Sequence, residues 1–359
     1  MAGITSEDVL NRLRTVNDPE LQKDFVSLNM VKDIAIEGSK VAVKIELTTP
    51  ACPLKGKIRE DIEQAIKEIP GVETVEIEFG AKVRSSRTDD NVLKQVKNVV
   101  AVGAGKGGVG KSTVAVMLAL GLRRAGASVG LLDADIYGPS IPKMTGCESD
   151  KPAMEGDKIV PLEAFGIKIM SMGFLLEPGR VVVWRGPMVH GVVKQFIEQV
   201  DWGELDYLIV DLPPGTGDAP LTLSQSIPMT GSVTVCTPQD VALADARRAI
   251  MMYEQLNVPS IGIVENMSYY LCPKCGHRDE LFDHGGAAKA AEELGVPFLG
   301  EIPLNAQVRI HGDAGTPDRL FTETDKLVGA AIDEVVSNIA GQISVRGDQS
   351  PRAAILSEE

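Results

Sequence analysis

The first part of the chain alternates between helical and strand-like spacings of its apolar side chains. Thr5 and Asp8 form a capping box, which predicts the start of a helix. The spacing then predicts, in order, a helix over 5–16, strands over 31–36 and 41–47, a helix over 54–69 and a strand over 72–79. Residues 1–80 are therefore expected to form a small α+β domain.

The pattern changes after a polar, charged stretch at 81–97, which we interpret as a linker. Short β-branched runs, which alternate with longer helical stretches, occur at 99–103, 128–132, 167–172, 207–210, 233–237 and 261–264. Strands that are buried on both faces have this composition, so residues 98–343 are predicted to form an α/β domain with a doubly wound, mostly parallel sheet. Residues 344–359 are polar and contain Pro and Gly, which predicts a flexible tail.

Composition and charge narrow the function classes. The chain has 359 residues, of which 44% are hydrophobic and 24% charged, as in soluble globular proteins. Its 36 Lys and Arg against 50 Asp and Glu give a net charge of −14, which argues against a general nucleic-acid binder. We also expect no membrane segment, because no apolar run is long enough to span a bilayer. Five scattered cysteines and the lack of a signal-peptide pattern predict a cytoplasmic protein.

The strongest local signal is the glycine-rich segment 103–113. Gly103 and two later glycines fit the dinucleotide pattern G-x-G-x-x-G, but the same segment also fits the P-loop pattern G-x-x-x-x-G-K-[ST]. A lysine and a hydroxyl stand where the next helix is expected to begin, as phosphate and Mg²⁺ binding requires, so the P-loop interpretation is favoured. The predicted nucleotide-binding residues are Gly105, Lys106, Gly107, Gly108, Val109, Gly110, Lys111, Ser112 and Thr113.

Acidic residues follow two of the predicted strands. Asp133 and Asp135 come at the end of one strand and Asp211 at the end of another. Ligands bind at the carboxyl ends of strands in open α/β sheets, which favours a role at the nucleotide. A plain alternative is that the first two acids only cap the following helix. The segment 213–218, Pro-Pro-Gly-Thr-Gly-Asp, is either a simple turn or a loop that senses the γ-phosphate.

Lys106 together with Lys111 in the sequence GKGGVGKST resembles the deviant Walker A motif of the ATPases that include MinD, ParA, ArsA and the nitrogenase iron protein. This resemblance implies that Lys106 reaches the phosphates of a partner chain in a homodimer. It also implies the following roles: Lys111 and Asp135 act in catalysis, Asp211 holds Mg²⁺ through water, Asn266 contacts adenine, and Pro303 helps to close the base pocket.

Cys272 and Cys275 form a C-x-x-C that is followed by Gly276, a knuckle suited to a soft metal. Three interpretations stay open. With His277 and His284 the pair could form a zinc site, although the spacing is unusual. The pair could also be a redox dithiol or disulfide. Two such pairs from two chains would supply the four thiolates of a [4Fe–4S] cluster, which the predicted dimer favours.

The P-loop, the DADIYGPS segment at 133–140, DLPPGTGD at 211–218 and CPKCG at 272–276 together resemble the Mrp/ApbC family of iron–sulfur cluster carrier ATPases. The first domain, with Asp18-Pro19-Glu20 and Cys52, resembles SufT-like iron–sulfur assembly domains. The resemblance implies a homodimer that uses ATP and Mg²⁺, holds a [4Fe–4S] cluster, and passes it from scaffold proteins to apo-proteins.

Competing hypotheses are a MinD/ParA-like positioning ATPase with a structural zinc, and a reductase similar to the nitrogenase iron protein. Cys52 stands just before a predicted helix, and the dipole at a helix end can lower the pKa of a thiol. A reactive or cluster-handling Cys52 and a partly buried, inert Cys52 both stay open.

Overall fold

The computed structural model describes residues 4–86, 92–175, 186–272, 274–322 and 326–349. These residues divide into two compact units. The first contains residues 4–84 and 340–349, and the second contains the described residues between 85 and 339.

The first unit packs helices against a small mixed sheet. Its elements are α1 (Ser6–Leu13), β1 (Val31–Glu37), β2 (Lys40–Leu47), α2 (Lys55–Lys67) and β3 (Thr74–Ala81). The Thr5 hydroxyl accepts the Asp8 N–H and the Asp8 carboxylate accepts the Thr5 N–H, which confirms the predicted capping box. The predicted strands β1 and β2 form an antiparallel hairpin, and β3 adds parallel to β2. Apolar faces of both helices and the sheet enclose one core.

The second unit alternates strands and helices along most of its length. Its elements are β4 (Val96–Gly103), α3 (Lys111–Ala125), β5 (Val129–Asp133), α4 (Ile141–Met144), β6 (Ala153–Glu155), β7 (Lys158–Val160), β8 (Leu162–Ala164), β9 (Ile167–Ser171), α5 (Gly186–Glu198), β10 (Leu205–Asp211), α6 (Asp218–Ser226), β11 (Gly231–Cys236), α7 (Asp240–Gln255), β12 (Ser260–Leu271), β13 (Arg278–Asp279), α8 (Gly286–Leu294), β14 (Phe298–Leu304), α9 (Ala306–Ala314) and α10 (Lys326–Gln349). Helix α10 continues into the first unit.

The large sheet confirms the prediction of a mostly parallel, doubly wound α/β fold. Its strands lie in the order β13-β12-β11-β4-β10-β5-β9-β8, and β14 pairs with β12. The pairs around the central strand β4 are parallel, whereas β13 and β8 add antiparallel. Since β4, β5 and β10 are neighbours, their carboxyl ends bring Gly103, Asp133 and Asp211 to one edge of the sheet.

Both predicted boundary segments contain regular structure. The proposed linker 81–97 overlaps the end of β3 at Ala81 and the start of β4, and its residues 87–91 lie outside the described part of the chain. Helix α10 ends at Gln349, whereas a polar tail was expected from residue 344. The buried Ile343 and the Ser344 hydroxyl, which donates to the Ala340 carbonyl at 3.1 Å, keep this turn helical. Residues 350–359 of the predicted tail lie outside the described residues.

None of the helices that the structure describes has the length and apolar character needed to cross a membrane.

Candidate nucleotide site and cysteine loop

The segment between β4 and α3 has the backbone that the P-loop pattern predicts. Gly108 and Gly110 have φ angles of +82° and +84°, a region that side chains rarely adopt. A Cβ atom on Gly110 would also collide with the side-chain amide of Asn266. The predicted residues Gly105, Lys106, Gly107 and Val109 lie in the same turn, and Ser112 and Thr113 follow in the first turn of α3. The N–H groups at this helix start are the donors that bind phosphate in P-loops.

Lys111 lies in a buried network of carboxylates. Its side chain is 7% exposed, and its Nζ lies 2.6 Å from Asp211 Oδ1 and 3.5 Å from Asp135 Oδ2. The same Nζ lies 3.2 Å from the hydroxyl oxygen of Ser112. The structure therefore brings the predicted lysine, hydroxyl and two of the predicted acids together, although Lys111 and Asp211 are 100 positions apart in the chain.

Asp133 is the third acid of this network. Burial and the carboxylate of Asp211 on the adjacent strand raise the pKa of Asp133 to about 8. The Ser171 hydroxyl donates to its Oδ2 at 2.9 Å, and the backbone N–H groups of Ile141 and Asp135 donate at 3.2 and 3.1 Å. Burial also raises the pKa of Asp211, although Lys111 opposes that shift. In the nucleotide-free chain, Asp133 is thus a largely protonated neighbour of the Lys111–Asp211 pair at neutral pH.

The raised pKa of Asp133 predicts a pH effect on stability. The native state binds a proton that the unfolded chain releases near pH 4, so this group stabilises the fold less as the pH rises from about 4 to about 8. Without nucleotide, we expect Asp133→Asn to flatten the fall in melting temperature between pH 5 and pH 8 by about 3 °C or more. Thermal unfolding followed by circular dichroism measures this difference. Equal slopes in the two proteins would show that Asp133 is ionised in the native state.

The acidic edge of the sheet fits a Mg²⁺–nucleotide complex. Asp211 Oδ2 is buried and accepts no hydrogen bond from the described residues, which leaves an oxygen for a hydrated cation. The Gly215 N–H donates to the Ala104 carbonyl at 2.8 Å, so the loop at 213–218 lies against the P-loop. Ser112 adds a hydroxyl at the helix start. The donor set is therefore one that hard cations prefer, with the P-loop amides beside it.

Three further predicted residues are not members of this carboxylate network. Asn266, on β12, is 6% exposed and its Nδ2 donates to the Val109 carbonyl at 2.8 Å. Pro303, on the neighbouring strand β14, is buried next to Ile302, which pairs with Asn266. Lys106 is half-buried and forms no salt bridge with a described residue. Asn266 therefore contacts the P-loop directly. The ammonium group of Lys106 could still pair with an anion such as a phosphate group.

The cysteine loop follows β12 directly. The Cys272 N–H donates to the His277 carbonyl at 2.9 Å, and the Gly276 N–H donates to the Cys272 carbonyl at 2.8 Å, which closes a tight turn. Gly276 has a φ of +70°, which favours glycine there. Backbone N–H groups of Lys274 and Cys275, together with the Cys275 side chain, lower the pKa of the Cys272 thiol. A thiolate at Cys272 is what a metal ligand requires, and Cys275 is exposed beside it.

The two histidines of the zinc hypothesis do not complete a site with these cysteines. Among the described residues, His284 instead forms a group with Glu265 and Glu301, with their ligand atoms within 4.8 Å of one another. The guanidinium of Arg278 fills this group: its Nη2 lies 2.7 Å from His284 Nε2 and 3.3 Å from Glu301 Oε2. A preformed Cys₂His₂ site is therefore not observed in the described part of the chain.

Comparison with known proteins identifies the family. Residues 95–342 match a family model described as the NUBPL iron-transfer P-loop NTPase, and residues 6–79 match one described as an iron–sulfur cluster assembly protein. The chain belongs to the iron-transfer P-loop NTPase family. Curated relatives from Synechocystis and Deinococcus radiodurans, both named iron–sulfur cluster carrier protein, are 50% and 51% identical to it. Each alignment covers 95% of this chain, and 99% and 96% of the relatives.

Two solved structures are similar to a large part of this chain. A nucleotide-binding protein from Archaeoglobus fulgidus, solved in complex with ADP, is 43% identical, with a TM-score of 0.58 over 63% of this chain and 89% of its own. The cell-division ATPase MinD of Pyrococcus furiosus has a TM-score of 0.50 at 19% identity, over 67% of this chain and 98% of its own. The second likeness concerns the fold alone.

The structure adds two residues of the NTPase domain that the sequence did not indicate. The Ser171 hydroxyl, at the carboxyl end of β9, donates to Asp133, and this place at the end of a buried strand is the signal that could have revealed it. Tyr253, in the last turn of α7, has a buried hydroxyl without a hydrogen-bond partner among the described residues. A Cβ atom on Gly103 would collide with that hydroxyl. Burial and Asp211 raise the pKa of Tyr253, so its phenol is neutral.

The assembly-type domain favours the second hypothesis for Cys52, a partly buried and inert thiol. Burial and the neighbouring carboxyl of Glu20 raise the pKa of the Cys52 thiol to about 11, opposite to the expected effect of the helix start. Burial and Asp18 also raise the pKa of Glu20, to about 7. Desolvation and nearby carboxylates thus outweigh the dipole of α2, and Cys52 is a protonated thiol at neutral pH.

Proposed function

We propose that this chain is an ATP-hydrolysing carrier that holds a [4Fe–4S] cluster between two copies of itself and transfers it to apo-proteins. The observation that carries the proposal is the tight Cys272–Cys275 loop with a thiol of lowered pKa, at the end of the strand whose Asn266 contacts the P-loop. The curated relatives' name, iron–sulfur cluster carrier protein, supports the same cargo. Scaffold proteins would supply the cluster, and we retain the prediction of a cytoplasmic protein that binds neither nucleic acid nor membrane.

The homodimer follows from counting ligands. Each chain offers two thiolates on the loop, whereas a [4Fe–4S] cluster takes four. The other described cysteines are unsuited: Cys147 and Cys236 are buried, and burial and nearby carboxylates raise the pKa of the Cys52 thiol. A cluster shared by two Cys272–Cys275 loops satisfies the count. Transfer is then a ligand exchange, in which thiolates of the recipient replace these four and no electron moves.

The nucleotide site gives each residue a role in ATP binding and hydrolysis. Lys111 and the P-loop amides hold the β- and γ-phosphates, with Ser112 and Asp211 on the Mg²⁺ side. Bound Mg²⁺ would neutralise charge on the phosphate oxygens. Asp135 lies within 3.5 Å of Lys111 and orients the attacking water. Asn266 and Pro303 hold the base, and Lys106 approaches the partner's phosphates.

We expect Asp135→Ala to separate ATP binding from hydrolysis. The variant keeps Lys111 and the P-loop, so its affinity for ATP stays within a few-fold, whereas its turnover falls by about 100-fold or more. Equilibrium binding of a fluorescent ATP analogue and phosphate release measure the two quantities. Glu148→Ala, an exposed acid of the same chain, is the matched control. Unchanged turnover in Asp135→Ala would remove Asp135 from the mechanism.

The trans role of Lys106 predicts a different signature. Lys106→Ala should bind ATP but lose turnover by at least about 100-fold, because the charge on the partner's phosphates is no longer neutralised. Mixing the variant with a hydrolysis-deficient Asp135→Ala chain tests the direction of the contact. Restored turnover in the mixture supports action in trans, whereas no recovery, with mixed dimers confirmed by native mass spectrometry, contradicts it.

Cluster transfer tests the proposal as a whole. The reconstituted protein is mixed, without oxygen, with a recipient enzyme that is inactive until it receives a [4Fe–4S] cluster. A chelator that captures free iron serves as the control for cluster breakdown in solution. Activation that persists in the presence of the chelator supports direct transfer. Activation that the chelator abolishes would contradict the carrier function.

A further inference from the structure

We propose that strand β12 couples the nucleotide site to the cysteine loop, with Met267 and Arg278 as the positioning residues of this connection. The inference rests on the proposed function, because it concerns how nucleotide changes the cluster-binding thiols. It assigns a physical route within one strand, from a P-loop contact at its middle to Cys272 at its end. The route is built from three contacts.

The first contact joins β12 to the P-loop. The Asn266 side-chain amide donates to the Val109 carbonyl at 2.8 Å, and Gly110 leaves no room for a Cβ atom against that amide. Any shift of the P-loop backbone as phosphates bind must therefore move Asn266 or break this hydrogen bond. Asn266 lies only six positions before Cys272, which directly follows β12, so a displacement of Asn266 is passed along the strand toward the cysteine loop.

The second contact is a bulge immediately after Asn266. Met267 has a φ of +56°, a conformation that a non-glycine residue rarely adopts. The register between β12 and β14 shifts here. From the pair Asn266↔Ile302 to the pair Tyr270↔Leu304, β12 advances by four residues and β14 by only two, so β12 bulges. The Ser268 hydroxyl donates to the carboxylate of buried Glu265, and this hydrogen bond joins the residues before and after the bulge. The Cβ atom of Met267 restricts its φ and ψ angles to a narrow range. A shift of Asn266 therefore moves the rest of β12, because the backbone at Met267 cannot rotate to compensate for it.

The third contact holds the far side of the cysteine loop. Arg278 pairs with Leu271 in the short antiparallel ladder that closes the loop. Its guanidinium lies 3.8 Å from the ring centre of Tyr269 on β12 and contacts Glu301 on β14. Arg278 thus connects the cysteine loop to both β12 and β14, the two strands whose pairing shifts at the bulge. A relative movement of β12 and β14 changes the geometry of both thiols together.

The Glu265–His284–Glu301 group supports this role for Arg278 and does not indicate a separate metal site. Both oxygens of Glu265 already accept hydrogen bonds, from the Ser268 hydroxyl and the Ala287 N–H. The Arg278 guanidinium supplies the positive charge that His284 and Glu301 face. An arginine that satisfies these groups leaves no vacant ligand set for a cation.

The test uses the full, cluster-free chain, so that its outcome does not depend on cluster assembly. Iodoacetamide alkylation of each cysteine is followed by peptide mass spectrometry, without nucleotide and with saturating Mg-ADP or a non-hydrolysable Mg-ATP analogue. We expect bound nucleotide to change the alkylation rate of Cys272 and Cys275 by about fivefold or more in either direction. Buried Cys236 serves as the internal reference.

Two variants then test the route. Met267→Gly permits many φ values and should remove most of the nucleotide effect, with nucleotide affinity within a few-fold of the wild type. Asn257→Gly is the matched control, because Asn257 also has a positive φ, +57°, but precedes β12. Arg278→Gln should change the alkylation rate without nucleotide and reduce its response to nucleotide, and Arg309→Gln, an exposed arginine on α9, should not.

Equal alkylation rates with and without saturating nucleotide in the wild type would overturn the coupling. A full nucleotide effect in both Met267→Gly and Arg278→Gln would overturn the route. If Met267→Gly does not fold, as judged by its nucleotide binding and circular dichroism, Arg278→Gln decides alone. Iron and sulfide content, measured separately after reconstitution, tests the carrier function, so either hypothesis can fail without the other.

Discussion

Replacing Cys272 and Cys275 together with serine is expected to abolish cluster binding. After anaerobic reconstitution with iron and sulfide, the wild type should hold about four iron and four sulfide ions per two chains, and the variant close to none. The physical reason is that a serine hydroxyl stays protonated at neutral pH, whereas the Cys272 thiol, with its lowered pKa, readily forms the thiolate that iron binds. Colorimetric iron and sulfide assays on desalted protein measure the change.

Cys147→Ser is the matched control, because Cys147 is buried and its thiol donates to the Thr145 carbonyl of its own turn. It should keep the full cluster content. ATP binding by the double variant should also stay within a few-fold of the wild type, since the P-loop contacts are unchanged. Full iron and sulfide content in the double variant would place the cluster elsewhere on the chain.

Lys111→Ala is expected to abolish nucleotide binding while the cluster site survives. We expect the affinity for ATP to fall by about 100-fold or more, because the phosphates lose their buried cation. Removal of the lysine also leaves Asp211 and Asp135 facing each other in a buried site. We therefore expect the nucleotide-free variant to lose about 3 kcal/mol of unfolding free energy. Isothermal titration calorimetry and urea unfolding measure the two effects.

Lys143→Ala is the control for this substitution, because Lys143 pairs with Glu148 on the exposed surface, where a salt bridge contributes little. Iron and sulfide content of Lys111→Ala should match the wild type. Loss of both nucleotide and cluster in a folded Lys111→Ala protein would mean that the two sites are not separable.

Sequence patterns predict those features of this molecule that are determined by residues close together in the sequence. The strands and helices predicted for the first domain, the six strands predicted for the second, the capping box at Thr5 and Asp8, and the P-loop are local features, and the structure confirms them. The short strands β6–β8, together with β13 and β14, were not predicted. The P-loop could be recognised because one helix start must supply a lysine, a hydroxyl and glycines with positive φ together.

The remaining features depend on contacts between distant segments. The pairing of Lys111 with Asp211 and the raised pKa of Asp133 arise where three strands end side by side, so no single motif contains them. The pKa of Cys52 also depends on contacts that the sequence does not reveal. Its place before a helix left a reactive and an inert thiol both open, and the sequence could not decide between them. Burial and the carboxyl of Glu20, which only the folded domain brings together, raise the pKa of the Cys52 thiol.

The most direct test of the carrier hypothesis is native mass spectrometry of the anaerobically reconstituted wild type. The hypothesis predicts a dimer with a single [4Fe–4S] cluster, which separates into cluster-free monomers when the cluster is removed by a chelator. A monomer that carries one zinc ion and takes up no iron would contradict it. The C-x-x-C loop would then be a structural metal site of a P-loop NTPase with another purpose.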